Sequence, residues 1–227
     1  MADDQNDIGS SGKSVALEQR ATSGDGRRYS PSVARNQEAI GDVFSRTMPI
    51  EGQILEIASG TGEHGAYMVS RFPGLRWTYS DIDENSLRSQ AAWIDHSGTG
   101  AGLIGPVTLD ASADHWGKGE VAAPYDGMFC TNMIHIAPFS ASKGLLSGAG
   151  RVLRPGGRLF LYGPFSREGD IAPSNLRFDA DLKRRDPSWG VRDLDRDIVP
   201  LAALAGLKLA DLVEMPANNL SVIFELG

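Results

Sequence analysis

An apolar run stops abruptly about a quarter of the way along this chain. Gln53-Ile54-Leu55-Glu56-Ile57-Ala58 has the length and character of a buried strand, and Ser59-Gly60-Thr61-Gly62 breaks it. Residues 63–71 then carry a helical pattern. Strand, glycine turn and helix in immediate succession form a unit in which backbone N–H groups can approach a ligand without a Cβ in the way.

The alternation continues downstream. Residues 76–80 read as a second strand and 84–96 as a helix. A glycine-rich connection over 98–105 leads to a third strand at 106–110. Residues 125–131 read as a fourth strand, 142–152 as a helix and 158–163 as a strong fifth strand after Pro155-Gly156-Gly157. Repeated strand–helix units predict an α/β domain, a mostly parallel sheet with helices on both faces. Residues 195–205 read as a last helix closed by Gly206. Residues 207–215 and 220–226 then pair as antiparallel edge strands.

Residues 1–26 are rich in Gly, Ser, Asp and Gln and read as a flexible tail, with a short helical stretch at 15–19. Gly12-Lys13-Ser14 resembles the end of a nucleotide-binding loop, but no earlier glycine or strand precedes it. Ordered structure is expected from Arg28-Tyr29-Ser30-Pro31, with Ser32 capping a helix over 33–46. One domain is expected over 27–227, with that helix as an N-terminal lid and a polar insertion near 166–192.

Composition narrows the partners. Twenty-two Lys and Arg against 29 Asp and Glu give a net charge of -7, which argues against a broad basic face for duplex nucleic acid. Cys130 is the single cysteine, so neither an intrachain disulfide nor an all-cysteine metal site is available. The 4 histidines show no metal spacing with it, and no metal is expected. No apolar run is long enough to span a membrane, and the start has neither a basic cap nor an apolar secretory core. A soluble cytoplasmic protein is expected, either monomer or homodimer.

Gly60, Gly62 and Gly65 also satisfy Gly-x-Gly-x-x-Gly, so the glycines alone do not choose a cofactor. The acids do. Glu56, at the end of the first strand, would repel a pyrophosphate but can pair with a cationic amino-acid group. Asp81 follows the second strand, where a carboxylate can accept from two ribose hydroxyls. Asp110 follows the third, placed to accept from an adenine amino group. Together they fit S-adenosylmethionine better than NAD. Each can instead cap a helix or join a buried network.

A closer resemblance rests on an ordered set of motifs. These are Arg28-Tyr29-Ser30-Pro31-Ser32-Val33-Ala34-Arg35-Asn36, Glu56-Ile57-Ala58-Ser59-Gly60-Thr61-Gly62-Glu63-His64, and Asn132-Met133-Ile134-His135-Ile136-Ala137-Pro138. Tyr162-Gly163-Pro164-Phe165, Pro173-Ser174-Asn175 and Glu214-Met215-Pro216-Ala217-Asn218-Asn219 complete it. The set resembles the DUF938 family of class I S-adenosylmethionine-dependent methyltransferases, whose relatives include a eukaryotic methyltransferase-like protein. The resemblance covers nearly all of 27–227. It implies a Rossmann-like fold with a mostly parallel seven-stranded sheet and an antiparallel C-terminal edge, and S-adenosyl-L-methionine as cofactor, leaving as S-adenosyl-L-homocysteine. It implies Glu56, Gly60 and Gly62 in the first cofactor loop, Asp81 at the ribose, Asp110 at the adenine and Asn132 near the transferring methyl. The chain departs from the Asn/Asp-Pro-Pro-Tyr/Phe motif of adenine and glutamine methylating enzymes, because Met133-Ile134-His135 follows Asn132.

On the reacting face, His135 is the candidate base or acceptor-orienting group. Its alternative is a histidine bonded to backbone under a lid. Tyr29 is placed to touch the cofactor carboxylate or the acceptor, and His64 to order the loop or contact cofactor. Arg28 can bind an acid, and Asn36 can face the same pocket. Phe139, Tyr162 and Phe165 can wall the acceptor. Pro173-Ser174-Asn175-Leu176-Arg177-Phe178 and Arg184-Arg185-Asp186-Pro187-Ser188-Trp189 can form a second lid whose Arg residues receive an anionic acceptor, or a solvated helix face. The expected function is methyl transfer to a small molecule on O, N or S. The alternatives are an NAD-dependent oxidoreductase using Gly60, Gly62 and Gly65, or a non-catalytic S-adenosylmethionine-binding regulatory protein.

Overall fold

The computed structural model describes residues 20–98, 100 and 102–227. The helical stretch expected at 15–19 and the Gly12-Lys13-Ser14 segment lie outside the described residues. The last residues of the expected tail are structured: β1 (Ala21–Thr22) pairs antiparallel with β2 (Arg28–Tyr29). Helix α1 (Pro31–Thr47) follows. Ser30, not Ser32, stands at its N-cap, because Pro31 takes the first turn, where a missing N–H costs nothing.

The main sheet then begins with β3 (Glu51–Ile57), α2 (Glu63–Arg71), β4 (Gly74–Asp81), α3 (Glu84–Ser97) and β5 (Leu103–Thr108). After the short α4 (Lys118–Val121) come β6 (Tyr125–Thr131), a 3-10 turn over Met133–His135, α5 (Phe139–Val152) and β7 (Leu153–Ser166). The insertion holds α6 (Pro173–Arg185) and the two-residue β8 (Arg192–Asp193). The chain ends in α7 (Val199–Leu204), β9 (Leu207–Met215) and β10 (Asn219–Leu226). The strand order is β5-β4-β3-β6-β7-β10-β9, with β8 added beside β7. β5, β4, β3, β6 and β7 run parallel, and β10 is antiparallel to both neighbours.

Four expectations need correction. β10 is not an edge strand: it sits between β7 and β9, and Val222, Ile223 and Phe224 are fully buried, which only an interior strand achieves on both faces. β5 starts inside the glycine-rich connection, at Leu103, and ends before Asp110. β7 starts at Leu153, because Tyr125 pairs with Leu153 and Gly127 with Arg158, so the Pro155-Gly156-Gly157 segment loops out without ending the strand. The last helix is interrupted: a π turn over Leu194–Ile198 precedes α7, where Pro200 has no N–H to donate back to Arg196.

The two faces of the sheet explain the layers. Leu55, Met128, Leu159 and Leu161 face one way, onto α5 and the π turn through Leu145, Leu146, Ile198 and Ala202 of α7. Ile54, Phe129 and Phe160 face the other way, onto α1 and α2 through Ile40, Phe44 and Met68. The alternation along β3 and β7 therefore buries both faces. Phe129 and Phe160 stack with centroids 5.2 Å apart, and Phe44 meets Trp77 at 6.0 Å. Among the described residues, no helix is long and apolar enough to cross a membrane.

Candidate functional site

The parallel strands deliver their C-terminal ends to one edge of the sheet, and a cavity of about 660 Å³ lies there. It is lined from Gly60, Asp81, Asp110 and Asn132 at one strand end after another. This is the crevice beyond the carboxyl ends of the strands, beside the central β3 and β6, where open α/β sheets bind ligands.

The turn after β3 is built for close approach. Ala58, Gly60 and Gly62 all have positive φ, at 55, 56 and 87°. Gly60 lines the cavity, and a Cβ built on it would meet no protein atom within 4 Å, so its missing side chain leaves open space on the cavity side. Gly65 does a different job. A Cβ there would lie 2.4 Å from Tyr79 Cε1 and 2.6 Å from Trp77 Nε1, so this glycine lets α2 lie flat on the sheet.

Asp81 ends β4 and closes the same corner. Its Oδ2 accepts from the Gly60 N–H at 2.9 Å, and its Oδ1 from Ile82 at 2.8 Å and Asp83 at 3.0 Å. Burial raises its pKa, while the backbone donors pull the other way. Asp83 also lines the cavity and caps α3 through Ser86 N at 2.8 Å. The sequence reading passed over Asp83; an Asp immediately before a helical pattern was its only signal. Asp110 is exposed and lines the cavity, with Oδ1 taking the N–H and hydroxyl of Ser112 at 2.8 and 2.7 Å.

Glu56 is a correction. It is 1% exposed, accepts from the Trp77 indole N–H at 2.8 Å and does not line the cavity. Burial pushes its pKa up to about 8, against hydrogen bonds from Trp77 and Ser59. Its carboxyl faces the core beneath the turn, against Trp77. His64 does line the cavity. Its Nε2 lies 3.0 Å from Asn36 Oδ1, and burial lowers its pKa to about 4. Asn36 therefore stands behind His64 and does not reach the cavity.

On the other side, Asn132 ends β6 in a left-handed conformation, with φ 59°, and lines the cavity. His135 lines it too but is 1% exposed. Its ring fits beside Gly163, where a Cβ would lie 2.4 Å from Nε2, and meets Phe165 edge-on at 5.1 Å. Among the described residues, neither ring nitrogen finds a well-formed hydrogen bond. Burial lowers the pKa to about 3, the Arg192 cation adds to the shift and the Gly190 backbone weakly opposes it. Phe165 thus backs His135 and does not wall the cavity.

Tyr29, Arg28 and Phe139 are not brought into the lining either. Tyr29 packs edge-on against Trp93 at 5.4 Å, with the Arg27 cation 4.8 Å from the Trp93 ring centre. Arg28 joins through its backbone N–H to Ser89 Oγ at 2.9 Å. Phe139 lies under two cations, Lys143 at 5.5 Å and Arg192 at 5.4 Å. Tyr162 is likewise outside the lining. Their places are taken by Arg20, Ser30, Ser32 and Val33 from the N-terminal segment, and by Phe178, Asp186 and Trp189 from the insertion. Phe178, Asp186 and Trp189 fall in the two segments expected to form a second lid, whereas nothing in the sequence singles out Arg20, Ser30, Ser32 or Val33 as lining residues.

A parallel sheet with an inserted antiparallel strand, helices on both faces and a glycine turn tied to an acid at the next strand end defines the Rossmann-like fold of class I methyltransferases. Solved structures agree. An O-methyltransferase family 2 protein from Planctomyces limnophilus, in complex with apigenin, superposes with a TM-score of 0.68 at 17% identity, over 86% of this chain and 61% of that one. Human N-acetylserotonin methyltransferase, in complex with SAM, superposes with a TM-score of 0.67 at 15% identity, over 86% of this chain and 53% of that one. Within that fold class, the chain belongs to the DUF938 family, described as protein of unknown function, whose model matches residues 27–226. In sequence it is 25% identical over 161 residues to the ribosomal RNA small subunit methyltransferase G of Ralstonia nicotianae, covering 71% of this chain and 61% of the relative. The chain thus spans less than two thirds of that relative's length.

Proposed function

We propose that this protein is an S-adenosylmethionine-dependent methyltransferase acting on a small-molecule acceptor. The observation that carries the reading is the Asp81 carboxylate fastened to the Gly60 turn at the edge of a 660 Å³ cavity. The residues present fit the cofactor: Gly60 leaves open space where a side chain would stand, and acids follow at the ends of β4 and β5. When bound, the cofactor supplies an electrophilic methyl group on a sulfonium.

Asp81 would hold the ribose hydroxyls, with Asp83 beside it. Gly60 would receive the amino-acid portion against its backbone. Asp110 and Ser112 would border the adenine. Asn132, Phe178 and Trp189 would bound the acceptor and keep water from the transfer path. His135 is neutral at working pH, and its low pKa makes it a poor proton acceptor there. Its contribution is therefore placement, and the acceptor brings its own lone pair, as an amine, thiolate, carboxylate or acidic hydroxyl does.

Cavity size favours a small acceptor, since about 660 Å³ lies in the range of small-ligand sites and has to admit cofactor and acceptor together. The similarity to a ribosomal RNA methyltransferase motivates a second reading, an RNA acceptor. The net charge of -7 weighs against it. Incubating the protein with methyl-labelled cofactor and, in parallel, a metabolite library and ribosomal RNA tests both. Label in a small molecule supports the proposal. Label in RNA alone overturns the small-molecule reading, and label in neither overturns methyl transfer to both tested classes.

A further inference from the structure

Two segments line the cavity opposite the glycine turn. Asn132, Met133, His135, Ile136, Ala137 and Pro138 follow β6, and Asp186 and Trp189 stand near the end of the insertion. Arg192, which does not line the cavity, joins them. Its Nε donates to the Ile134 carbonyl at 3.0 Å, and its Nη2 to the carbonyls of Ala137 at 2.7 Å and Ser188 at 2.9 Å. The Gly190 N–H adds a fourth tie, to the His135 carbonyl at 3.0 Å. The guanidinium also lies over Phe139, which opens α5, at 5.4 Å. Arg192 itself is fixed from behind, because β8 pairs it with Phe165, the ring that backs His135.

Two backbone carbonyls three residues apart in one loop and a third carbonyl in another make a target that only a planar, multiply donating cation satisfies at once. We infer that Arg192 is a positioning residue that locks the His135 loop to the Trp189 end of the insertion, so that the two sides of the acceptor half of the cavity move as one body. The catalytic consequence rests on the methyltransferase reading; the mechanical claim does not.

The charged groups around this junction are few. Asp179 and Lys183 of α6 pair at 2.6 Å and abut Gly190. Asp197 lies near Arg192, Lys143 lies 5.5 Å from the Phe139 ring centre, and Asp186 lines the cavity. Among them, Arg192 is the charge that acts on the His135 ring, so its removal is legible there.

The test uses the full chain saturated with S-adenosylhomocysteine, with Arg192→Lys and Arg192→Gln. Amide hydrogen exchange at Gly190 should quicken at least about 10-fold in both, while homocysteine-product affinity stays within about threefold of wild type. The His135 ring, followed by nitrogen NMR, should stay neutral at pH 5 in wild type and Arg192→Lys, and its midpoint should rise in Arg192→Gln. Once an acceptor is known, its KM should rise about 10-fold in both variants with a smaller change in kcat. Unchanged Gly190 protection in both variants overturns the inference, as does a His135 midpoint identical in all three proteins. If neither variant folds, wild type alone decides: Ile136 and Gly190 amides exchanging with protection within about 10-fold supports one body, and a gap above about 100-fold overturns it. Failure of the wild type to bind S-adenosylhomocysteine would strike the methyltransferase reading, and the Gly190 exchange comparison on the ligand-free chain would then decide the lock by itself.

Discussion

The Gly60 N–H donates to Asp81 Oδ2 at 2.9 Å, so the turn after β3 and the end of β4 are one structural unit. Neither residue could be moved without the other. The acid that would read a nucleoside also holds the backbone that would cradle it.

Asp81→Asn keeps one oxygen for the backbone donors and removes the charge. Product-cofactor affinity should fall by about 1.5–3 kcal/mol, the worth of charge-assisted hydrogen bonds. Calorimetry with S-adenosylhomocysteine on a variant shown to be folded checks this, and unchanged affinity would remove Asp81 from the site.

Two alanine substitutions separate binding from packing. Gly60→Ala meets open space, so stability should drop only by roughly 1–2 kcal/mol for the left-handed backbone, while product binding weakens at least about 10-fold. Gly65→Ala drives a methyl against Tyr79 and Trp77, and should cost roughly 1–3 kcal/mol of stability. Unchanged product binding in a folded Gly60→Ala variant would contradict the assignment.

Glu56 sets a pH signature. Its folded pKa of about 8 stands above the ordinary 4.5, so the unfolded chain ionises first. Stability contributed by the neutral buried acid is present below pH 4.5 and is lost as pH rises toward 8. At about 1.4 kcal/mol per unit, the loss is a few kcal/mol. Glu56→Gln should flatten this fall in a melting series across pH 5 to 8.5 (roughly the window of the shift); a parallel decline in wild type and variant would contradict the buried neutral acid.

His135 and His64 titrate low, near 3 and 4, because burial disfavours their cations. Both are neutral throughout the ordinary histidine range. Once an acceptor is identified, kcat should show no histidine limb near about pH 6.5, the unperturbed value. His135→Ala should lower turnover by less than the roughly 10²-fold minimum typical of a lost general base. A limb near pH 6.5 that vanishes in His135→Ala would restore the base role.

The parallel half of the sheet was legible because β3, β4, β6 and β7 each hold a short stretch of strand-forming residues, such as Ile54-Leu55, Trp77-Thr78-Tyr79, Met128-Phe129-Cys130 and Leu159-Phe160-Leu161-Tyr162, bounded by glycine, proline or polar residues. β10 was misplaced at the edge because strand order is set by which neighbour covers Val222 and Phe224, and a local pattern does not contain that. That Asp81 and Asn132 stand at the cavity was legible from their positions at strand ends. Glu56 was misread because it shares that position, yet its side chain faces Trp77; the pleat alone does not say which way the last carboxylate of a strand turns. Tyr29 looked like a lid residue, but Trp93, sixty-odd residues later, provides the surface it rests on. Long-range partners of this kind lie outside any sequence window.

The central claim is that the cavity at the Gly60–Asp81 corner takes S-adenosylmethionine. Calorimetric titration of the full chain with S-adenosylhomocysteine and, separately, with NAD tests it most directly. Saturable one-to-one binding of S-adenosylhomocysteine is expected, weakened by Asp81→Asn, with NAD binding at least about 10-fold weaker. Tighter binding of NAD, or S-adenosylhomocysteine binding indifferent to Asp81, would contradict it.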